Sequence, residues 1–348
     1  MDPLSNQVAD CSSQKRVAYL DYARIIACFL VIYGHLYAPN PNNFVRVFIF
    51  QFHMPLFFFI SGMLHKYNNQ LQLKKYVKTI IIPTLFFSFL FFVVTGLFYH
   101  YGFWNYKAAV PKSLILGNDI VHTYLNYFNY SVKGFVLGSF MLDDACWFLI
   151  ALFYCKIYID ILLKYKALLI VWGVLFVCLC LLIHKYFFVA NFIMAFPFFY
   201  VGFKYKDFIK RMLNTKGIVI LFPVFFIIVF ATTKWNGLVS SWAVFFGYAK
   251  MPVNVCLYYI AGFSGTFMML VVCSLLSKVN ALSLFAANAL ISVLGLQMLF
   301  IFFVDNFIGY DLPYGKSFFV ALMVYALCLA GHFVVAKYAP YLVGKNKR

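Results

Sequence analysis

Apolar runs of about twenty residues recur along the chain, separated by short segments that hold most of its lysines and arginines. As a helix, such a run crosses the roughly 30 Å hydrocarbon layer of a bilayer while bonding its own backbone. The pattern predicts ten spans, at 18–37, 45–64, 79–99, 146–163, 167–184, 187–203, 217–233, 254–277, 283–304 and 317–336. Two stretches interrupt it. Residues 100–144 are rich in tyrosine and asparagine with weak periodicity, which suits an interfacial or re-entrant segment, and 234–253 is mixed in character. The predicted class is all-α, a polytopic integral membrane protein. It forms a single membrane-embedded domain over 1–348, with tails at 1–17 and 337–348.

Composition agrees: 65% hydrophobic, 22% aromatic and only 11% charged residues exclude an ordinary soluble domain. A formal net charge of +18 would suggest nucleic acid in a soluble chain. Here the cations sit in the connectors, which is a topology signal, and no nucleic-acid partner is expected. An even number of spans puts both termini on one side. Placing them in the cytoplasm leaves most of the lysines and arginines inside, the usual bias. The cysteines show neither a pairing framework nor zinc-type spacing, so no metal is expected. The N-terminal region lacks the layout of a cleavable signal peptide.

The first span carries Asp21, Arg24 and His35 in an otherwise apolar run. Eleven positions separate Arg24 from His35, about three helical turns and about 16 Å along the axis. Both therefore share one face, with Cys28 and Val31 between them. Charge at membrane depth is costly and normally faces protein or a wet cavity. With the termini inside, Arg24 falls in the cytoplasmic third of the span and His35 toward its external end. Asp21 precedes Arg24 by three residues, a spacing that permits an ion pair.

The second span reads Phe50-Gln-Phe-His53-Met-Pro55-Leu-Phe-Phe-Phe-Ile-Ser61-Gly62. Pro55 frees a carbonyl one turn earlier, near Gln51, and permits a kink. Taken alone, His53 is a helix-packing hydrogen-bonder and Ser61-Gly62 a close-packing site. Two histidines on adjacent helices, with Arg24 facing the same way, favour a functional reading. Arg24–x10–His35, His53-Met-Pro-Leu-Phe-Phe-Phe-Ile-Ser-Gly62 and Trp147-Phe-Leu149 together resemble the acyltransferase type 3 membrane family. Within it the resemblance is to bacterial sugar O-acetylases of the fucose 4-O-acetylase-like branch. It covers most of the chain, span number included.

That resemblance implies transfer of an acyl group, usually acetyl, from cytoplasmic acyl-CoA to a hydroxyl of an exported polysaccharide or lipid-linked sugar. It also implies a multi-pass location in the bacterial cell membrane. Acetyl-CoA would be a co-substrate, with no permanently bound cofactor. Arg24 and His35 become the essential pair. Lys75 and Lys78 take the place of family arginines and offer charge without the guanidinium fork; positive-inside anchoring explains them equally well. Where relatives carry a later histidine, this chain has Gln297, after Ala286-Ala-Asn288-Ala-Leu-Ile-Ser292.

The chemistry agrees with the inheritance. Acyl transfer from a thioester to an alcohol needs a base at the hydroxyl and stabilisation of the oxyanion. His35 suits the base, with His53 positioning or polarising; direct transfer and a transient acyl-histidine both fit. Arg24, Lys75 and Lys78 would hold CoA phosphates. Asp143, Asp144, Trp147, Gln297 and Asn288 are candidate acceptor contacts, with Asp21 and Ser61 in support. Lys156 is expected to snorkel to the inner surface. The rival reading is a transporter or flippase that uses Arg24, His35 and His53 as a relay.

Overall fold

The computed structural model describes residues 18–36, 43–68, 70–103, 112–136, 147–165, 168–181, 187–236, 253–276, 281–309 and 312–343. The N-terminal tail 1–17, residues 344–348, most of the mixed stretch after 236 and the Asp143, Asp144 pair lie outside them. Among the described residues there are helices and no strand.

The chain begins with α1 (Ala18–His35), then α2 (Phe44–Phe50) and α3 (His53–Met63). Next come α4 (Leu73–Tyr76), a π-helical turn (Val77–Ile81) and α5 (Ile82–His100), which run on without a break. The 100–144 stretch contributes α6 (Lys112–Ile115) and α7 (Ile120–Val136). After them lie α8 (Trp147–Lys164), α9 (Leu168–Leu181), α10 (Phe187–Lys204) and α11 (Lys206–Leu213). A 3-10 turn (Lys216–Leu221) leads into α12 (Phe222–Asn236). Last are α13 (Val253–Ser274), α14 (Ala281–Asn288), α15 (Leu290–Phe307) and α16 (Tyr314–Tyr338).

Among the described residues, six helical stretches are long and apolar enough to cross a membrane: Phe44–Met63, Leu73–His100, Gly217–Trp235, Val255–Ser274, Leu290–Phe307 and Tyr314–Tyr338. The protein is therefore a multi-pass membrane protein. The six coincide with the predicted second, third and seventh to tenth spans, while α1, α8, α9 and α10 occupy the other four positions. Asp21 and Arg24 in α1, and Lys156, Asp160 and Lys164 in α8, are what lower the hydropathy of those two helices. Lipid-facing surface is plain on α5, where Leu85, Phe89, Val93 and Leu97 are exposed at every fourth position, so one apolar stripe points outward.

Among the described residues four predicted spans depart from a single regular α-helix. The seventh opens with the 3-10 turn, and the second, third and ninth change within their length, two of these breaks being traceable to proline. Pro55 has no N–H to give Gln51, and the helix parts at Phe52 (φ −131°, ψ −17°). Pro83 cannot bond back to Thr79, and just before it the ladder widens, with Ile82 N–H donating to the Val77 carbonyl. The predicted ninth span divides at Ala289 into α14 and α15 (φ −84°, ψ −4°), directly after Asn288, a weak helix former.

α1 is the pillar of the bundle, packed by α2, α3, α13, α14, α15 and α16. Eight residues separate α1 from α2, and α3 then returns alongside α1. α3 in turn lies against α10 at backbone contact. A Cβ on Gly62 would fall 2.0 Å from the Phe199 carbonyl oxygen, and one on Gly202 would fall 2.1 Å from that of Phe59. Small residues let membrane helices approach this closely. α7 packs on α5, its Tyr124 ring seated over Gly96 and Tyr127 OH lying 3.1 Å from Thr95 Oγ1.

Candidate active site

The stripe expected on α1 faces inward. Cys28 and Val31 are fully buried, and Arg24 and His35 at its two ends are half-buried. Arg24 forms an ion pair with buried Asp21, one turn earlier. α16, with its buried Cys328, packs against α1. α1 thus offers the interior a guanidinium near one end and an imidazole near the other.

The break in the second span brings the two histidines together around one ring. Phe50, the last residue of α2, lies edge-on to His35 with ring centroids 5.4 Å apart. The same ring lies 4.8 Å from His53, the first residue of α3. It fits because position 34 is glycine: a Cβ there would sit 2.5 Å from the Phe50 ring. His53 Nδ1 is 2.9 Å from the Ile49 carbonyl. A carbonyl only accepts, so Nδ1 carries the proton, and in the neutral ring Nε2 is left as an acceptor.

A residue the sequence reading passed over joins this group. Arg46 of α2 is buried, with its guanidinium carbon 5.0 Å from the Phe50 centroid. Its signal was the rarity of an arginine inside an apolar run, obscured because it stands near the start of the span, where an anchoring cation is ordinary.

The other candidates scatter. Lys75 and Lys78 are exposed, on α4 and the π-helical turn, and Lys75 Nζ donates to Gln72 Oε1 at 2.9 Å. Lys156 is half-buried, and its ammonium lies 5.5 Å from the Tyr76 ring centroid. Trp147 is 9% exposed and packs among Phe58 and Phe148. Ser61 is half-buried beside Gly62, and Asn288 is exposed at the α14–α15 break. Asp143 and Asp144 lie outside the described residues. Gln297 is fully enclosed, and neither of its amide atoms meets a hydrogen-bond partner among the described residues. Five residues before it, buried Ser292 pairs with His332 Nδ1 of α16 at 2.8 Å, a pair that motif reading did not single out.

Membrane-crossing helices that enclose an arginine and two ring-linked histidines define a multi-pass membrane protein with a polar interior face. Residues 17–337 match the acyltransferase domain family of type 3, and the chain belongs to that family. No curated protein and no solved structure matches the chain. The protein is accordingly an enzyme, a membrane acyltransferase that takes an acyl group from a donor to an acceptor.

Proposed function

We propose that the enzyme moves an acetyl group from cytoplasmic acetyl-CoA to a hydroxyl of an exported polysaccharide or lipid-linked sugar, as a bacterial sugar O-acetylase in the cell membrane. The observation that carries this reading is the His35–Phe50–His53 cluster gathered at one end of α1, the helix that bears Arg24 toward its other end. In this reading the chain works as one membrane-embedded unit over 1–348 with both termini in the cytoplasm. Arg24, Lys75 and Lys78 then lie toward the inner surface and His35 toward the outer.

CoA is long and thin, with its phosphates at one end and its thioester at the other. The separation of Arg24 from His35, about 16 Å along the axis, suits a molecule of that shape threaded along α1. Arg24, Lys75 and Lys78 hold the phosphates, and the thioester reaches His35. His35 accepts the proton as the sugar oxygen attacks the thioester carbonyl. The C–S bond then breaks, the proton passes to the departing thiolate, and the products are the acetyl ester and free CoA thiol. His53, its Nδ1–H already given to Ile49, presents Nε2 to a hydroxyl and orients the acceptor; in that neutral form it has no proton to offer the carbonyl oxygen. Arg46 sets a positive charge beside the pair, where oxyanion charge develops.

Asp143, Asp144, Trp147, Gln297 and Asn288 are assigned to the acceptor, with Asp21 and Ser61 in support. Gln297 gives the sharpest separate test. A buried amide with no partner lowers stability, and its retention suits a hydrogen bond made to substrate. Gln297→Leu is expected to leave the thermal midpoint in detergent unchanged or higher while lowering kcat/KM for the acceptor. A variant with full activity would remove Gln297 from the site.

The assignment as a whole is tested by membranes carrying the protein, supplied with radiolabelled acetyl-CoA and an acceptor glycan. Label on the glycan, lost in His35→Ala, supports it. Acceptor movement with no thioester consumed supports a transporter instead.

A further inference from the structure

We infer that Asp160 is a positioning residue for the donor end, holding the connector that carries Lys75 and Lys78. The inference rests on reading those lysines as contacts for the donor phosphates. Asp160 stands on α8, and its side chain has no exposed surface. Its carboxylate gathers three groups from a single stretch of chain. Oδ1 is 2.9 Å from Nε2 of His65, and Oδ2 accepts from the Tyr76 hydroxyl at 2.7 Å and from the Gln72 main-chain N–H at 3.5 Å.

Gln72 then relays the hold. Its side-chain N–H donates to the Lys66 carbonyl at 3.0 Å, and its side-chain oxygen accepts from Lys75 Nζ at 2.9 Å. One buried oxygen atom thus lies two hydrogen bonds from the cation proposed to meet phosphate. α4 and the π-helical turn also pack directly on α8.

The charges around Asp160 suit a lasting clamp. A buried carboxylate persists only where partners replace its water. Lys156, one turn before it, supplies the countercharge and lies over the Tyr76 ring. His65 contributes a hydrogen bond and no charge: burial first, then the Lys156 cation, hold its imidazole below the usual histidine range, against the pull of Asp160. Its ring is wedged between Phe199 and Phe203, 5.6 Å from each, which ties the clamp to α10. The carboxylate's bonds therefore converge on the segment that bears the exposed cations.

The test uses the full-length protein in lipid nanodiscs and measures thiol release from two donors. Acetyl-CoA carries the phosphates; S-acetylpantetheine carries the same thioester without them. Asp160→Asn is expected to raise KM for acetyl-CoA about tenfold, the scale of a lost charge-assisted bond, with kcat little changed. The milder Tyr76→Phe, which keeps the carboxylate, should raise it by a smaller factor and carries the test if Asp160→Asn does not fold. Neither should alter kcat/KM for S-acetylpantetheine. Equal losses with both donors would show a merely structural role and overturn the inference, as would an unchanged KM for acetyl-CoA. A Lys75→Ala, Lys78→Ala double variant separates the underlying reading. If it leaves KM for acetyl-CoA unchanged, the lysines do not meet the donor and both ideas fall. If it raises KM while Asp160→Asn and Tyr76→Phe do not, only the positioning role is lost.

Discussion

Replacing His35 by alanine is expected to abolish acyl transfer, cutting thiol release from acetyl-CoA by about 10²–10⁴-fold, the range general-base catalysis contributes. The side chain is half-buried at the end of α1, so its loss removes little packing, and the protein should keep its thermal midpoint. That contrast matters, because a structural histidine would fail in both measurements. His53→Ala should differ. It deletes the bond to the Ile49 carbonyl as well as the Nε2 acceptor, so stability and rate should fall together. If His35→Ala kept more than a tenth of wild-type turnover, His35 would not be the base.

Adding one methyl group at Gly62 or Gly202 is expected to be the most damaging small change to the fold. The built Cβ would lie 2.0 Å from one main-chain oxygen or 2.1 Å from the other, and backbone cannot swing aside as a flexible side chain does. α3 and α10 must separate, at a cost of about 1–3 kcal/mol for overpacking a close contact. Both glycines serve the same crossing, so the double variant should cost less than the sum of the singles. Gly173→Ala on α9 is the control. A Cβ there meets nothing within 4 Å, so the midpoint should hold or rise as helix propensity improves. Thermal unfolding in detergent makes the comparison, and midpoints for Gly62→Ala and Gly202→Ala equal to wild type would contradict the close crossing.

What could be read from the sequence was what periodicity and local chemistry encode. The α1 stripe needs only helical spacing and the cost of buried charge, and Arg24, Cys28, Val31 and His35 do lie along one inward face. Pro55 announced the break that places His53 at the head of α3, because a missing N–H acts within one turn. The Asp160 clamp was not legible. His65 and Asp160 stand 95 positions apart, and each alone looks like an ordinary polar residue near a helix end. Ser292 and His332, 40 positions apart, were hidden for the same reason. Gly62 was readable as a small residue suited to close packing, yet its reciprocal partner Gly202 emerges only when α3 and α10 are seen crossing. For Lys156 the sequence offers only the default of a snorkelling lysine in an apolar helix, and nothing local reveals the Tyr76 ring beside its ammonium.

The most direct measurement is stoichiometric. Inside-out membrane vesicles holding the acceptor glycan are given labelled acetyl-CoA on their outer face, and free CoA thiol and alkali-labile acetyl ester are counted together. Acyl transfer through His35 predicts one thiol released for each ester formed, with neither appearing in the His35→Ala protein. Acceptor crossing the membrane while the thioester stays intact, or ester formation undiminished without His35, would contradict it.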